Sequence, residues 1–308
     1  MIDVENLSKK FDTLTAVDDI SFNVKEGEVF GFVGPNGAGK TTTIRMLAGL
    51  ISSTSGTAKI AGYDINNKED AISLRKIIGL MPDNVGLYDE LTAFKNLDFY
   101  GKLYGLSNSK REENIKYLLK MLGIWDKRDI IVGKFSKGMK QKLAIARALI
   151  HDPEILFLDE PTANLDPTSA KTVRNFLIDL KHENKTIFIN THNFAEVQEI
   201  CDKIGIMNTK LLKVSTQKDL KESIWGIKTV VQLDKVTNNV LDALDNASFK
   251  NIAISGDKLT FDLKNPKEEN PAIINTIVDA GGRILYVTKL DPSLEDTYIK
   301  FLRMKIST

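Results

Sequence analysis

The segment Gly34-Pro-Asn-Gly-Ala-Gly39-Lys40-Thr41 constrains this chain more than any other. Gly34, Gly39, Lys40 and Thr41 occupy the fixed positions of a phosphate-binding loop. Glycines let successive backbone N–H groups turn inward into a concave anion nest. The flanks fit such a loop: an apolar strand pattern from Glu28 to Val33 precedes it, and a helical pattern from Thr42 to Ala48 follows. The nest is therefore expected at a helix N-terminus, whose dipole adds ~0.3–1 kcal/mol for an anion. Asn36, Gly37, Ala38, Gly39, Lys40, Thr41 and Thr42 are the candidate phosphate contacts. Lys40 suits the terminal phosphates, and the Thr41 hydroxyl suits Mg2+.

A chain of 308 residues suggests one large domain and a small one. A net charge of +1 gives no sign of a nucleic-acid partner. Cys201 is the sole cysteine, which excludes an internal disulfide framework, and it is expected to be buried by packing. The N-terminus lacks a basic stretch followed by an apolar run, so no secretory signal is expected. No stretch of 18 uninterrupted apolar residues occurs, so no bilayer span is expected. A membrane role would have to come through a partner.

Up to about residue 215 the pattern alternates β and α, as in a layered nucleotide-binding fold. Ile155–Leu158 and Thr186–Asn190 are nearly continuous apolar runs, the mark of central parallel strands covered on both faces. From about Leu91 to Ala148 the spacing is mostly helical. The style changes between Lys221 and Gly226. Beyond it, strands are expected at Thr229–Leu233, Asn251–Ser255, Lys258–Leu263 and Arg283–Val287. Helices are expected at Asn238–Ala247, Pro271–Ala280 and Ser293–Met304. The order β-α-β-β-α-β is that of a ferredoxin-like unit. Lys264 to Glu269 reads as a solvated loop, and His151 and His182 as surface residues.

The run Ile155-Leu-Phe-Leu-Asp159-Glu160 places two carboxylates at the C-terminal end of a buried strand, where ligands bind in α/β sheets. Asp159 suits Mg2+, and Glu160 suits the polarisation of an attacking water. These residues point to a Mg2+-dependent nucleotide hydrolase.

Five motifs follow in order. After the phosphate loop come Phe135-Ser136-Lys137-Gly138-Met139-Lys140-Gln141, Leu158-Asp159-Glu160-Pro161-Thr162, Ala163-Asn164-Leu165-Asp166 and Asn190-Thr191-His192. The chain thereby resembles the ATP-binding cassette (ABC) family of ATPases over about two-thirds of its length. The resemblance implies that Ser136 and Gly138, in a signature loop usually written Leu-Ser-Gly-Gly-Gln, reach the ATP held by a second subunit. The departures are Phe135, Lys137 and Met139, a form similar to that of drug- and antibiotic-export ATPases. Asp166 resembles the acid that crosses the dimer interface; as a residue it also suits the N-cap of a helix starting at Pro167. His192 resembles the switch histidine that contacts the γ-phosphate. Phe11 matches the aromatic that stacks on adenine, usually a tyrosine. Asp83 stands where glutamine is commonest and would meet Mg2+ or water.

The implied fold is an α/β P-loop ABC ATPase domain, with a RecA-like core and a helical signature subdomain, over 1–220. A small α+β ferredoxin-like domain is expected over 227–308. The implied cofactors are ATP and Mg2+, with Glu160 and His192 catalytic. The implied partners are a second copy, through an ATP sandwich, and a separate transmembrane permease near Tyr88–Thr92. The implied location is cytoplasmic, peripheral at the inner face of the cell membrane. The tail from Asp291 to Tyr298 is similar to that of export ATPases. An importer ATPase and a soluble non-transport ABC ATPase are the rival readings.

Overall fold

The computed structural model describes residues 1–82, 86–163, 165–249 and 252–306. It divides into two compact units, Met1–Thr216 and Gln217–Thr308.

The first unit begins with an antiparallel layer. Strands β1 (Ile2–Phe11) and β2 (Leu14–Val24) form a hairpin, joined by β4 (Ser55–Ile60) and β5 (Tyr63–Asp64) in the order β2-β1-β4-β5. The N-terminal residues thus depart from simple β/α alternation, because β1 pairs with β4 more than forty residues away. The second layer is a six-stranded sheet of β3 (Val29–Val33), β6 (Ile78–Met81), β7 (Ile155–Asp159), β8 (Thr186–Asn190), β9 (Lys203–Asn208) and β10 (Lys210–Thr216). Its order is β10-β9-β3-β8-β7-β6, parallel except for the β9–β10 hairpin. Every residue of β3, β7 and β8 is buried, as their continuous apolar runs require. Phe22 packs with Phe30, Phe32 and Phe188 at centroid distances of 5.2 to 6.0 Å, joining the two sheets into one core.

Helices α1 (Lys40–Leu47) and α2 (Ala71–Ile77) precede β6, while α6 (Pro167–His182) and α7 (Phe194–Ile200) flank β8. The helical segment consists of α3 (Ala93–Leu103), α4 (Asn108–Met121) and α5 (Lys137–Leu149). Thr92, Ser107 and Ser136 cap these three by accepting backbone N–H bonds. Gly123, at φ 67°, follows the C-cap of α4, the left-handed position that favours glycine.

The second unit contains α8 (Gln217–Trp225), β11 (Ile227–Leu233), α9 (Asn238–Asn246), β12 (Ala253–Ser255), β13 (Lys258–Leu263), α10 (Pro266–Asp279), β14 (Ile284–Lys289) and α11 (Leu294–Ile306). Its sheet is antiparallel in the order β12-β13-β11-β14. Val231, Leu259 and Phe261 on the sheet meet Val240, Leu244, Ile273 and Ile277 on α9 and α10. Helix α10 starts at Pro266, so Lys267 to Glu269 form its first turn, not a solvated loop. Pro266 occupies N1, and the Glu269 carboxylate accepts from the backbone N–H groups of Lys264 and Asn265. Pro271 is therefore inside the helix. Among the described residues, no helix is long and apolar enough to cross a membrane.

Candidate active site

Three neighbouring parallel strands end level with one another. Phe32 on β3 and Asp159 on β7 both pair with Asn190 on β8. The phosphate loop, the Asp159-Glu160 pair and the Asn190-Thr191-His192 turn consequently emerge side by side, at the sheet edge where α/β folds bind ligands.

The loop runs into α1 through Gly39, a left-handed N-cap at φ 92° with no side-chain cap. A Cβ on Gly39 would lie 2.3 Å from the Ala16 carbonyl oxygen, and one on Gly34 would lie 2.1 Å from that of Met207. These glycines are thus required by close packing of the loop against β2 and β9, as well as by the nest.

Phe11, Asn36, Gly37, Ala38, Gly39, Lys40, Thr41, Thr42, Asp159, Glu160 and Asn190 line one cleft of about 540 Å³. Phe11 is 44% exposed at its rim. The Lys9 ammonium lies 4.9 Å from the Phe11 ring centroid. Lys40 is buried, and its Nζ donates to the carbonyls of Gly34 at 2.7 Å and Pro35 at 3.0 Å. Burial pushes its pKa down, while Glu160 and Asp159 pull the other way.

One carboxamide aligns two oxygen donors. Asn190 Nδ2 donates to Asp159 Oδ1 and to Thr41 Oγ1, the latter at 3.3 Å. Asp159 is only 2% exposed, and the Asn190 Oδ1 is buried without a hydrogen bond. A hydroxyl and a carboxylate held together beside a phosphate loop are hard donors of the type Mg2+ takes. Among the described residues, no group of three or more His, Cys, Asp or Glu side chains could hold a metal. This pair therefore suits an ion that shares its coordination with phosphate oxygens and water, not an all-protein cage.

Glu160 has a left-handed backbone, φ 54°, and its N–H donates to Asn190 O at 2.8 Å. Such a conformation in a non-glycine residue costs about 1–3 kcal/mol and clusters at active sites. Gln141 Nε2 fixes the turn by donating to the carbonyls of Glu160 at 2.8 Å and Pro161 at 3.3 Å. His192 Nδ1 lies 2.9 Å from Glu160 Oε1, with the imidazole largely exposed.

Other expected site residues lie outside this cleft. Ser136 is the N-cap of α5, its Oγ accepting from Met139 N at 3.2 Å. Gly138 follows in the first turn. Asp166 is the N-cap of α6, accepting from Ser169 N at 2.9 Å, and hydrogen bonds from Ser169 hold its carboxyl below the usual range. Asp83 lies outside the described residues. His151 is half-buried and not fully solvated: its ring stacks on Tyr104 at 3.7 Å, its Nε2 lies 3.0 Å from the Ile78 carbonyl oxygen, and burial pushes its pKa down to about 4. His182 is exposed, and Cys201 is buried, with its thiol pKa pushed up by burial. Asn190 and Gln141 have no individual role expected from the sequence. Both sit in the motifs quoted above, but their partners are 19 or more residues away.

This fold and site define a P-loop nucleotide-binding protein. Residues 17–163 match the family model described as ABC transporter. The chain is 38% identical over 234 residues to the linearmycin resistance ATP-binding protein LnrL of Bacillus subtilis, covering 76% of this chain and 74% of LnrL. It is 35% identical over 317 residues to the bacitracin transport ATP-binding protein BcrA of Bacillus licheniformis, covering 98% and 97% of the two chains. Among solved structures, the dimeric bacterial ABC transporter cassette MJ0796 matches with a TM-score of 0.66 at 25% identity, covering 70% of this chain and 98% of that one. The chain belongs to the ABC transporter ATP-binding family: it is the ATPase subunit of an ABC transporter.

Proposed function

We propose that two copies of this chain hydrolyse ATP in a Mg2+-dependent, composite site and couple it to export through a separate transmembrane permease. The observation that carries this reading is the convergence at one cleft of Lys40, of Thr41 and Asp159 bridged by Asn190, and of Glu160 held by His192. Phe11 offers its ring to adenine, and stacking of this kind is worth about 1–3 kcal/mol per base. The N–H groups of the loop and the Lys40 ammonium bind the phosphates. Thr41 and Asp159 would hold Mg2+, which supplies charge neutralisation on the phosphates when bound. Glu160 accepts a proton from the attacking water, and His192 orients its carboxylate. A general base of this type contributes about 10²–10⁴-fold in rate.

Ser136, Gly138 and Asp166 do not line their own chain's cleft. They are available to the ATP of a second copy, as the dimer of the similar cassette suggests. The names of LnrL and BcrA, which speak of antibiotic resistance and bacitracin transport, support an exporter. A groove of about 400 Å³ lined by Leu50, Ile78, Tyr100, Leu103 and Tyr104 offers the permease an apolar seat. Such docking places the chain in the cytoplasm, peripheral at the inner face of the cell membrane. We read the second unit as ferredoxin-like, supported by its β-α-β-β-α-β order, and assign it to bracing the dimer.

The test is Glu160→Gln. ATP binding should persist, turnover should fall by about 10²–10⁴-fold, and the trapped nucleotide should give a dimer in sedimentation with Mg-ATP. Near-normal turnover would remove Glu160 from the chemistry.

A further inference from the structure

The mechanism leaves one buried carboxyl unused. Glu196 is 0% exposed, on α7, four residues after His192. Neither of its carboxylate oxygens closes a hydrogen bond of standard geometry. The hydroxyls that face it belong to Thr162 and Thr191, both buried. Thr162 is in the turn that follows Glu160, and Thr191 directly precedes His192. Thr191 Oγ1 itself accepts from Asn193 N at 3.0 Å, and Asn193 caps α7.

A buried carboxyl with incomplete partners is costly unless it serves a purpose. We propose that Glu196 is a positioning residue for hydrolysis, its carboxyl joining the loop that follows Glu160 to the loop that carries His192. The proposal rests on the assignment of Glu160 as the base.

The charged surroundings are unequal. Glu160 faces Glu196 from the end of β7 and opposes its ionisation; Arg174 faces it from α6 and favours it. The Arg174 guanidinium is engaged elsewhere, its Nε donating to Glu199 at 2.6 Å. Cys201, just past α7, also faces Glu196, and its thiol is held neutral. Burial dominates and pushes the Glu196 pKa up to about 7. The neutral carboxyl has both a donor and an acceptor for the two threonines. Ionisation instead places a buried negative charge that Glu160 opposes, which loosens the two loops.

The experiment compares wild type, Glu196→Gln, Glu196→Ala and Glu160→Gln. It measures kcat and KM for Mg-ATP from about pH 6 to about pH 8.5, with nucleotide binding and melting temperature as folding controls. Gln is isosteric and neutral throughout. The ratio of Glu196→Gln to wild-type kcat should rise about tenfold over this interval, as wild type loses its neutral form. Glu196→Ala should lose about tenfold or more in kcat with KM within about twofold, since misplaced groups cost rate before binding. A kcat ratio constant with pH, or an Ala variant with wild-type kcat, overturns the proposal. If Glu196→Ala does not fold, the Gln profile decides alone. If Glu160→Gln keeps its turnover, the base assignment falls and this proposal with it. If Glu160→Gln is inactive and the Glu196 variants behave as wild type, only the positioning role falls.

Discussion

Replacing Asn190 with alanine isolates the link between the phosphate loop and Asp159. Its Nδ2 makes two hydrogen bonds, one to a buried carboxylate and one to the Thr41 hydroxyl. A bond to a charged group is worth about 1.5–3 kcal/mol net and a neutral one about 0.5–1.5. The sum, about 2–4.5 kcal/mol, is an upper bound on the loss, because Asp159 keeps other interactions. Groups that orient metal ligands cost about 10–100-fold in metal affinity when removed, or about 1.4–2.8 kcal/mol. At saturating ATP, Asn190→Ala should therefore need about 10–100 times more Mg2+ for half-maximal turnover. Binding of ATP without Mg2+ should change by less than about twofold, because Lys40 and the loop N–H groups are untouched. Melting temperature monitors the small cavity left in β8. An unchanged Mg2+ requirement, or equal weakening with and without Mg2+, would refute the reasoning.

Two further outcomes follow from the same geometry. Gly39→Ala forces a left-handed alanine at about 1–2 kcal/mol, before the clash with the Ala16 carbonyl is relieved, and should lower the nucleotide-free melting temperature by at least about 2–8 °C; an unchanged Tm contradicts it. Glu196 binds its proton more tightly folded, at about 7, than at its ordinary value of 4.5. Its contribution to stability is therefore full below about 4.5 and lost as pH rises through about 7. Relative to Glu196→Gln, wild type should lose on the order of 3 kcal/mol across that window in denaturant titrations, and parallel stability curves would exclude the linkage.

The candidate site is legible in the sequence wherever the signal is local. The phosphate loop, the apolar runs of β7 and β8 and the acids at the end of β7 are contiguous in the chain, and their convergence follows from parallel pairing. Contacts across the fold were not legible. Asn190 meets Thr41 across 149 residues, Gln141 meets the Glu160 turn across 19, and Glu196 depends on Thr162 and Thr191 converging. The partial burial of His151 is not visible in the sequence because its stacking partner, Tyr104, lies between α3 and α4, far from it along the chain. The start of α10 differs from the sequence expectation although its cue is local: Asn265-Pro266 followed by Glu269 is a helix beginning, outweighed in the sequence by the mixed charges and by Pro271. The pairing of β1 with β4 is non-local, and strand patterning alone cannot specify it.

A site shared between two copies, as proposed, is tested most directly by complementation. Lys40→Ala removes the phosphate-facing ammonium, and Ser136→Arg blocks the signature loop. Each protein alone should be inactive. Random pairing makes half of the dimers mixed, and each mixed dimer has one intact site of two, so an equimolar mixture should recover about a quarter of wild-type turnover. A mixture as inactive as its parts, together with wild-type turnover per chain that is independent of protein concentration, would contradict the shared site.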